Sequence, residues 1–379
     1  MPRSGHRCPP PCDPPSVGRL TDHSSEKEPL RGSWSCRVRS LVIAPNPFDD
    51  ARMGQAIAAA AVSRRRVAPR PWVGAVVVPA GMPDHPGFEG ATEGRTGPHA
   101  EVVALRAAGD QAQGATLFVT LEPCSHHGTT PPCTDAVIAA GISRVVVSIV
   151  DPDPKVAGEG IARLRDAGID VELGVGAFDV ARQLAPYLHH RRTGRPFVVL
   201  KLAATLDGRT AAPDGSSQWI TGEESRQDAH RLRADSDAII VGAGTVRSDD
   251  PALTVRLPET ERGPDDTKPV RVVLGKAPEA AKIHPCLERT GDLGAILDEL
   301  GAMGMMQVMV EGGPSVAHAF QSASLVDRYV LYLAPALFGG DDGLAMFLGP
   351  GKTSIDRLWR GRIVDVARLG DDLRIEIEP

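Results

Sequence analysis

The 379-residue chain is poor in aromatic side chains, with Phe, Trp and Tyr at 4%. Its cores must be built from Val, Leu, Ile and Ala. Cysteine is scarce too. Cys8, Cys12, Cys36, Cys124, Cys133 and Cys286 are too few for a disulfide framework over this length. A reducing cytosol is the simpler setting. No apolar run approaches the roughly 18 residues of a membrane span, and Met1 to Leu20 lack the apolar stretch of a secretory signal. Positive charge is not in excess, the net formal charge being -6. That argues against a protein devoted to nucleic acid, which is held by clustered Lys and Arg. The expectation is a soluble, cytoplasmic chain with a small-molecule substrate and no nucleic-acid or membrane partner. A local basic pocket for one phosphate is compatible with this balance, and a homo-oligomer is left open.

Hydrophobic residues at 42% and charged residues at 24% are ordinary for a globular protein. The length suits two domains. Residues 1–46, rich in Pro, Ser and charge, read as a disordered extension. His6, Cys8 and Cys12 lie within it, too few for a closed metal site. From Asp49 the pattern changes. "DDARMGQAIAAAAVSRRR" reads as a helix, acidic at its start and basic at its end. "WVGAVVV" and "ATLFVTLEP" read as strands, "HAEVVALRAAG" and "CTDAVIAAG" as helices, and the alternation continues to "IDVELGV". This is an α/β layer fold. "YLHHRRTGRP" interrupts it and marks a domain boundary, giving domains over 47–190 and 191–379. The second series opens with "FVVLKLAATLDG" and "DAIIVGAGT", near-continuous apolar runs typical of buried parallel strands.

The stretch "LEPCSHHGTTPPC" carries two cysteines and two histidines. With His99 and Glu101 of "PHAEV", Cys124 and Cys133 form a constellation with a definite chemistry. A catalytic zinc takes three protein ligands and keeps one position for water. One imidazole and two thiolates supply the three, and Glu101 is then free to move protons. His and Glu two residues apart share no helix face, so both reach one metal only off the N-terminal end of a helix. This H-x-E … P-C … C pattern belongs to zinc-dependent nucleobase deaminases. His126 and His127 are read as loop residues facing substrate or solvent, since a fourth protein ligand would displace the water.

Eight residues separate the two cysteines. In that form "TLEPCSHHGTTPPC" after "GPHAEVVALRAAG" resembles the deaminase half of the bifunctional riboflavin-biosynthesis deaminase–reductases. "LKLAATLDGRTA", "SQWITG", "RLRADSDAIIVGAGTVRSDDPALTVR" and "MVEGGPSVAHAF" resemble the reductase half. The resemblance implies a cytidine-deaminase-like α/β/α domain followed by a dihydrofolate-reductase-like α/β domain. It implies zinc and NADPH as cofactors and a phosphorylated pyrimidine as substrate. The deaminase would convert a diaminopyrimidinone ribosylamino 5′-phosphate to the uracil. The reductase would then reduce the ribosyl chain to ribityl. Matched motif by motif, His99, Cys124 and Cys133 are zinc ligands and Glu101 the acid/base. Ala203, Trp219, Thr245, Asp249 and Gly313 match cofactor positions. Ser217, Arg233, Leu253, Arg256 and Glu311 match substrate positions. The forks of Arg233 and Arg256 suit the oxygens of a sugar phosphate. Lys201, a charge in an apolar strand, is expected to reach the site.

The chain departs from that family in three places. Arg70 stands where an Asn is usual, offering donors only. Thr92 stands where a His is frequent. The segment between "VRVVLG" and "MQVMVEGG" is short, so a strand and helix of the reductase are expected to be missing or trimmed. Two alternatives follow: a nucleoside or tRNA deaminase with an accessory domain, or a chain with one half inactive.

Overall fold

The structure, a computed structural model, describes residues 46–379 except 129, 155, 264, 265 and 267. The expected extension over 1–46, with His6, Cys8 and Cys12, lies outside the described residues but for Asn46. The Asn46 side chain accepts the Phe48 N–H and so caps α1 (Pro47–Val67). There follow β1 (Gly74–Val78), β2 (Phe88–Ala91), α2 (Ala100–Ala108), β3 (Thr116–Leu121), α3 (Cys133–Ala139) and β4 (Arg144–Ile149). Next come α4 (Glu159–Asp166), β5 (Asp170–Leu173), α5 (Ala177–Gln183) and α6 (Ala185–Thr193). The strands form one sheet in the order β2-β1-β3-β4-β5, with β3, β4 and β5 parallel and β1 antiparallel to both of its neighbours.

Two glycines show how tightly helices cover this sheet. A Cβ at Gly74 would lie 1.9 Å from the Ala56 carbonyl of α1. One at Gly90 would lie 2.3 Å from the Ala100 carbonyl of α2. Gly90 stands opposite Ala75 and Gly74 opposite Ala91, so the two glycines look out of opposite faces. Helix α1 therefore packs on one face and α2 on the other. The core between them is aliphatic: Val77, Leu117, Val119, Val145 and Val147 are fully buried.

The second series runs β6 (Phe197–Thr205), β7 (Arg209–Ala211), α7 (Glu223–Ala234), β8 (Ala238–Gly242), α8 (Ala243–Asp249), β9 (Val270–Leu274), β10 (Leu287–Arg289) and α9 (Leu293–Ala302). It ends with β11 (Gln307–Val310), α10 (Pro314–Ser322), β12 (Arg328–Ala334), β13 (Leu344–Ala345), β14 (Arg362–Leu369) and β15 (Asp372–Glu378). Eight strands form one sheet in the order β10-β9-β8-β11-β6-β12-β15-β14. It is parallel from β10 to β12, and the β14–β15 hairpin continues it antiparallel. The short segment before β11 keeps both a strand and a helix, β10 and α9, the strand trimmed to three residues.

"YLHHRRTGRP" differs from its expectation as a plain interruption. Tyr187–Thr193 is helical within α6, which stops at Gly194 with φ +75. This helix end also touches α9 of the second series. His190 meets the Gly301 carbonyl at 3.0 Å, and Met306, just before β11, is buried in the core cluster of the first sheet. The basic end of α1 adds polar ties across the same junction: Arg64 donates to the Gln307 amide at 2.8 Å, and Arg65 pairs with Asp235 at 2.7 Å.

The end of β3 is fastened by a buried carboxylate. Glu122 accepts the backbone N–H groups of Asp151, Gly158, Gly160 and Ile161 at 2.9–3.2 Å. Gly160 sits so close that a Cβ there would lie 1.9 Å from the Pro123 carbonyl. Gly160→Ala must push α4 away from the Glu122–Cys124 strand end. The expected cost is about 2 kcal/mol, in the range of overpacked cores, with loss of bound metal. Urea unfolding and zinc content by atomic absorption check both.

Candidate metal centre and reductase pocket

His99 is the N-cap residue of α2, with extended backbone at φ -76 and ψ 161. Its side chain therefore leaves the end of the helix, while Glu101 points inward from the first turn and is 3% exposed. Cys124 follows the Glu122–Pro123 strand end, and Cys133 opens α3. The three ligating atoms of His99, Cys124 and Cys133 lie within 4.8 Å of one another. His99 Nδ1 is 3.6 Å from Cys124 Sγ and 3.1 Å from Cys133 Sγ. Tetrahedral zinc, with bonds of about 2.3 Å to sulfur and about 2.0 Å to nitrogen, sets N···S separations of about 3.5 Å. One nitrogen and two sulfurs at these distances fit the ion. The other ring nitrogen, Nε2, lies 3.3 Å from the Thr130 hydroxyl, a contact that orients the imidazole. His126 and His127 are exposed in the loop and take no part in the cluster.

The protons of this cluster are shared. The Cys124 thiol is drawn down to about 4 by the hydrogen bond from the Cys133 side chain, helped by His99. Cys133 is pushed up by donating that hydrogen bond and by burial. Burial pushes the His99 imidazole down, but Cys124 and Glu101 outweigh it and hold it above its ordinary value. A cation entering the cluster replaces these protons, as ligands must deprotonate to bind. Burial raises the Glu101 carboxyl, which suits a group that takes a proton and returns it near neutral pH.

Of the two altered positions, Thr92 is buried and its hydroxyl accepts the Val73 N–H at 3.2 Å, fastening the end of β2 to β1. Arg70 donates to the carbonyls of Gly94 and Gly97, on the loop that leads into His99. A cavity of about 720 Å³ runs between α1 and the β2 edge, but His99, Glu101, Cys124 and Cys133 do not line it. The chemistry, not the larger volume, marks the site.

In the second half, a cavity of about 230 Å³ lies beside the carboxyl ends of β6 and β11, where open parallel sheets bind ligands. Lys201, Trp219, His230, Arg233, Arg256 and Glu311 line it. Lys201 Nζ stands 3.3 Å from Glu311 Oε1, which answers why a lysine occupies the apolar run of β6. Arg233 grips the same carboxylate with two bonds, at 2.7 and 2.8 Å, and donates its remaining amino group to the Thr254 carbonyl. Burial pushes the Glu311 carboxyl up, but Lys201 and Arg233 prevail and hold it down at about 2.

The Arg233 fork is thus engaged by Glu311, at the wall of the same cavity. Arg256 remains exposed at the rim. Trp219 is 69% exposed, with the Arg226 guanidinium 4.7 Å from its ring centre. Thr245 Oγ1 accepts the Gly313 N–H at 3.2 Å, joining the first turns of α8 and α10. A Cβ at the adjoining Gly312 would lie 2.7 Å from the Val316 side chain, so only glycine permits this close turn. Ala203, Ser217, Thr245, Asp249, Leu253 and Gly313 are not among the cavity's lining residues. Leu253 is buried in an apolar cluster with Val241, Val246 and Ile283. His230 and Tyr332 were not singled out in the sequence, yet both line the cavity. His230 lies one helical turn before Arg233, a spacing that puts both on one face. Burial, then Arg233 and Arg256, lower its imidazole to about 4, and its Nδ1 accepts the Arg256 N–H.

Comparison with known proteins finds a match for each half. Residues 48–149 match the family model for the cytidine and deoxycytidylate deaminase zinc-binding region, and residues 196–375 match that for the RibD C-terminal domain. Riboflavin biosynthesis protein RibD of Escherichia coli (strain K12) is 38% identical over 368 residues, covering 87% of this chain and 99% of that protein. The Mycobacterium tuberculosis (strain ATCC 25618 / H37Rv) protein of the same name is 43% identical over 339 residues, covering 86% and 96%. The solved structure of Acinetobacter baumannii RibD (form 1) superposes with a TM-score of 0.81 at 38% identity, covering 88% of this chain and 99% of that one. A Thermotoga maritima structure described as a diaminohydroxyphosphoribosylaminopyrimidine deaminase/5-amino-6-(5-phosphoribosylamino)uracil reductase gives 0.76 at 34% identity, with the same coverage. The chain belongs to the RibD family of bifunctional, zinc- and NADPH-dependent deaminase–reductases of riboflavin biosynthesis.

Proposed function

We propose that this chain deaminates the 2-amino group of a diaminopyrimidinone ribosylamino 5′-phosphate and then reduces the ribosyl chain of the resulting uracil with NADPH. The observation that carries the first step is a buried carboxyl, Glu101, beside the His99, Cys124 and Cys133 triad. His99, Cys124 and Cys133 would hold zinc, which when bound would supply a water of lowered pKa. Glu101 stands to accept a proton from the nucleophile and to pass it to the departing ammonia. Burial raises the carboxyl above its ordinary value, the direction that favours holding a proton. The Thr130 contact fixes the ring of His99, and the Cys133 N–H, 3.4 Å from Cys124 Sγ, supports the thiolate.

For the second step the reading places substrate in the cavity between Lys201, Arg256 and Trp219. NADPH would reach it along the glycine turns of α8 and α10, with Thr245 and Gly313 at its phosphates. Glu311 serves to hold Lys201 and Arg233 rather than to contact the ligand alone. The activities divide at the end of α6, just past the expected boundary between 47–190 and 191–379, which falls inside that helix; the two separate sheets support the division. The chain is placed in the cytoplasm, with no nucleic-acid or membrane partner. No described helix is long and apolar enough to cross a membrane. Supplying the diaminopyrimidinone phosphate and NADPH should release ammonia and oxidise NADPH. Ammonia without NADPH oxidation would leave the reductase half inactive.

Two variants separate the halves. Glu101→Gln should keep full zinc content and lose deamination by at least about 100-fold, while NADPH oxidation on the uracil intermediate stays unchanged. Glu311→Gln leaves two buried cations without their counter-charge and should destabilise the chain by about 3 kcal/mol, with loss of NADPH oxidation and intact ammonia release. Because the Glu311 carboxyl is depressed in the folded chain, its contribution is present above the ordinary value of 4.5 and is lost as pH falls toward about 2. Urea midpoints of wild type and variant should therefore converge over that window.

A further inference from the structure

The segment Thr254–Glu261 carries Arg256 to the rim of the reductase cavity. It belongs to no strand, and its only regular piece is the 3-10 turn Glu259–Glu261. Without a ladder of backbone bonds, its position rests on side chains that reach it from elsewhere. Three side chains of α7 do so. Arg233 donates to the Thr254 carbonyl at 3.1 Å, His230 Nδ1 accepts the Arg256 N–H at 3.3 Å, and Arg231 grips the Glu261 carboxylate with two bonds of 2.8 Å. A further tie comes from the other half. Arg65, near the end of α1, donates from Nη1 to the Glu261 carbonyl at 3.2 Å, while its Nε pairs with Asp235, the residue that ends α7, at 2.7 Å. The side chains of Arg65 and Asp235 are only 20% and 25% exposed, so salt screens this pair less than one on the open surface. One guanidinium of the first half thus spans the end of α7 and the turn that closes the Arg256 segment. Its neighbour Arg64 reaches Gln307 and the Trp72 ring instead.

We propose that Arg65, a residue of the deaminase half, is a positioning residue of the reductase: it fixes the Glu261 turn and so sets Arg256 where the sugar phosphate is met. The proposal rests on the reading of the reductase cavity above, with Arg256 as its phosphate fork. An arginine loses rotamer freedom when it closes on a phosphate, and a loose backbone beneath it adds to that loss. Holding the segment from both ends removes the backbone part before the substrate arrives. The effect of Arg65 therefore falls on substrate binding, not on hydride transfer, and on the phosphate, not on the ring. The first half then supplies part of the frame of the second site, although none of its residues lines the reductase cavity.

The test uses the full chain and follows NADPH oxidation on the uracil phosphate and on its dephosphorylated form. Wild type must first oxidise NADPH on the uracil phosphate; if it does not, the reductase reading falls and this assignment with it. Arg256→Met must then raise KM for that substrate; an unchanged KM removes the phosphate fork and overturns the proposal separately. With both in hand, Arg65→Met should raise KM for the uracil phosphate about tenfold at nearly constant kcat. KM for NADPH, turnover of the dephosphorylated uracil and ammonia release from the diaminopyrimidinone phosphate should match wild type, the last also reporting that the first half is folded. Adding Arg65→Met to Arg256→Met should cost nothing further, as expected when one residue acts through the other. Arg231→Met frees the same turn from the α7 side and should raise the same KM, which keeps the test open if Arg65→Met folds poorly. An unchanged KM in Arg65→Met or in Arg231→Met overturns the proposal. So does an additive loss in the double variant, an equal loss on the dephosphorylated uracil, or an equal loss in Arg64→Met. Each of those would reduce Arg65 to a general fastener of the junction.

Discussion

The carboxylate of Glu122 ties the end of β3 to the start of α4 through three backbone N–H groups and to the end of β4 through a fourth, that of Asp151. Much of the first half depends on that clasp. Pro123 and Cys124 follow immediately, so the position of one metal-facing sulfur is inherited from it. Asp151, whose N–H meets the same carboxylate, accepts the Tyr187 hydroxyl at 3.0 Å. Tyr187 lies in α6, under the Arg191 guanidinium, and Arg191 in turn donates to the Pro69 carbonyl beside Arg70. A chain of direct contacts thus runs from the strand end that carries Cys124 to the residue next to Arg70. A metal site needs its ligands held to fractions of an ångström before the ion arrives, and buried polar ties of this kind do so more sharply than apolar packing.

The two halves show how environment assigns work to the same functional group. Glu101 and Glu311 are both largely withdrawn from water. Glu101 has no cation bonded to it, so burial dominates and raises it. Glu311 is gripped by Lys201 and Arg233, so charge dominates and lowers it to about 2. The first is suited to exchange protons near neutrality and the second to hold its charge and its partners in place. Neither role can be deduced from a glutamate in isolation. It follows from which strand ends and helix faces the fold brings against it.

Local patterns were the legible ones. The H-x-E and P-C … C segments carry their geometry in their spacing, because a helix start and a strand end dictate where those side chains point. The alternation of apolar strands with helices was legible for the same reason. What could not be read depends on partners distant along the chain. Lys201 was visible as an anomaly, but its partner Glu311 comes from another strand. Arg233 was visible as a fork, but its partner Glu311 also comes from a distant element. Leu253 matched a substrate position, yet its side chain is core. The end of α6 was masked by charge and proline, cues for a break that here fall within and just after a helix. The β14–β15 hairpin, on the far edge of the second sheet, was not singled out, although "LRIEIE" alternates apolar and charged residues.

The junction between the halves has a further meaning. Only Gly194, Arg195 and Pro196 separate α6 from β6, and Arg195 is itself held by Asp298 at 2.6 Å. Met306 is buried among residues of the first sheet, and a Cβ at Gly301 would lie 2.0 Å from the Gly194 carbonyl. A protein severed here would not fall into two clean modules. One piece would bare an apolar socket and the other the methionine that filled it, and the arginines of α1 would face water without their partners. Such scars invite aggregation, so the fused chain is a mechanical necessity of this interface as much as a convenience of carrying two activities together.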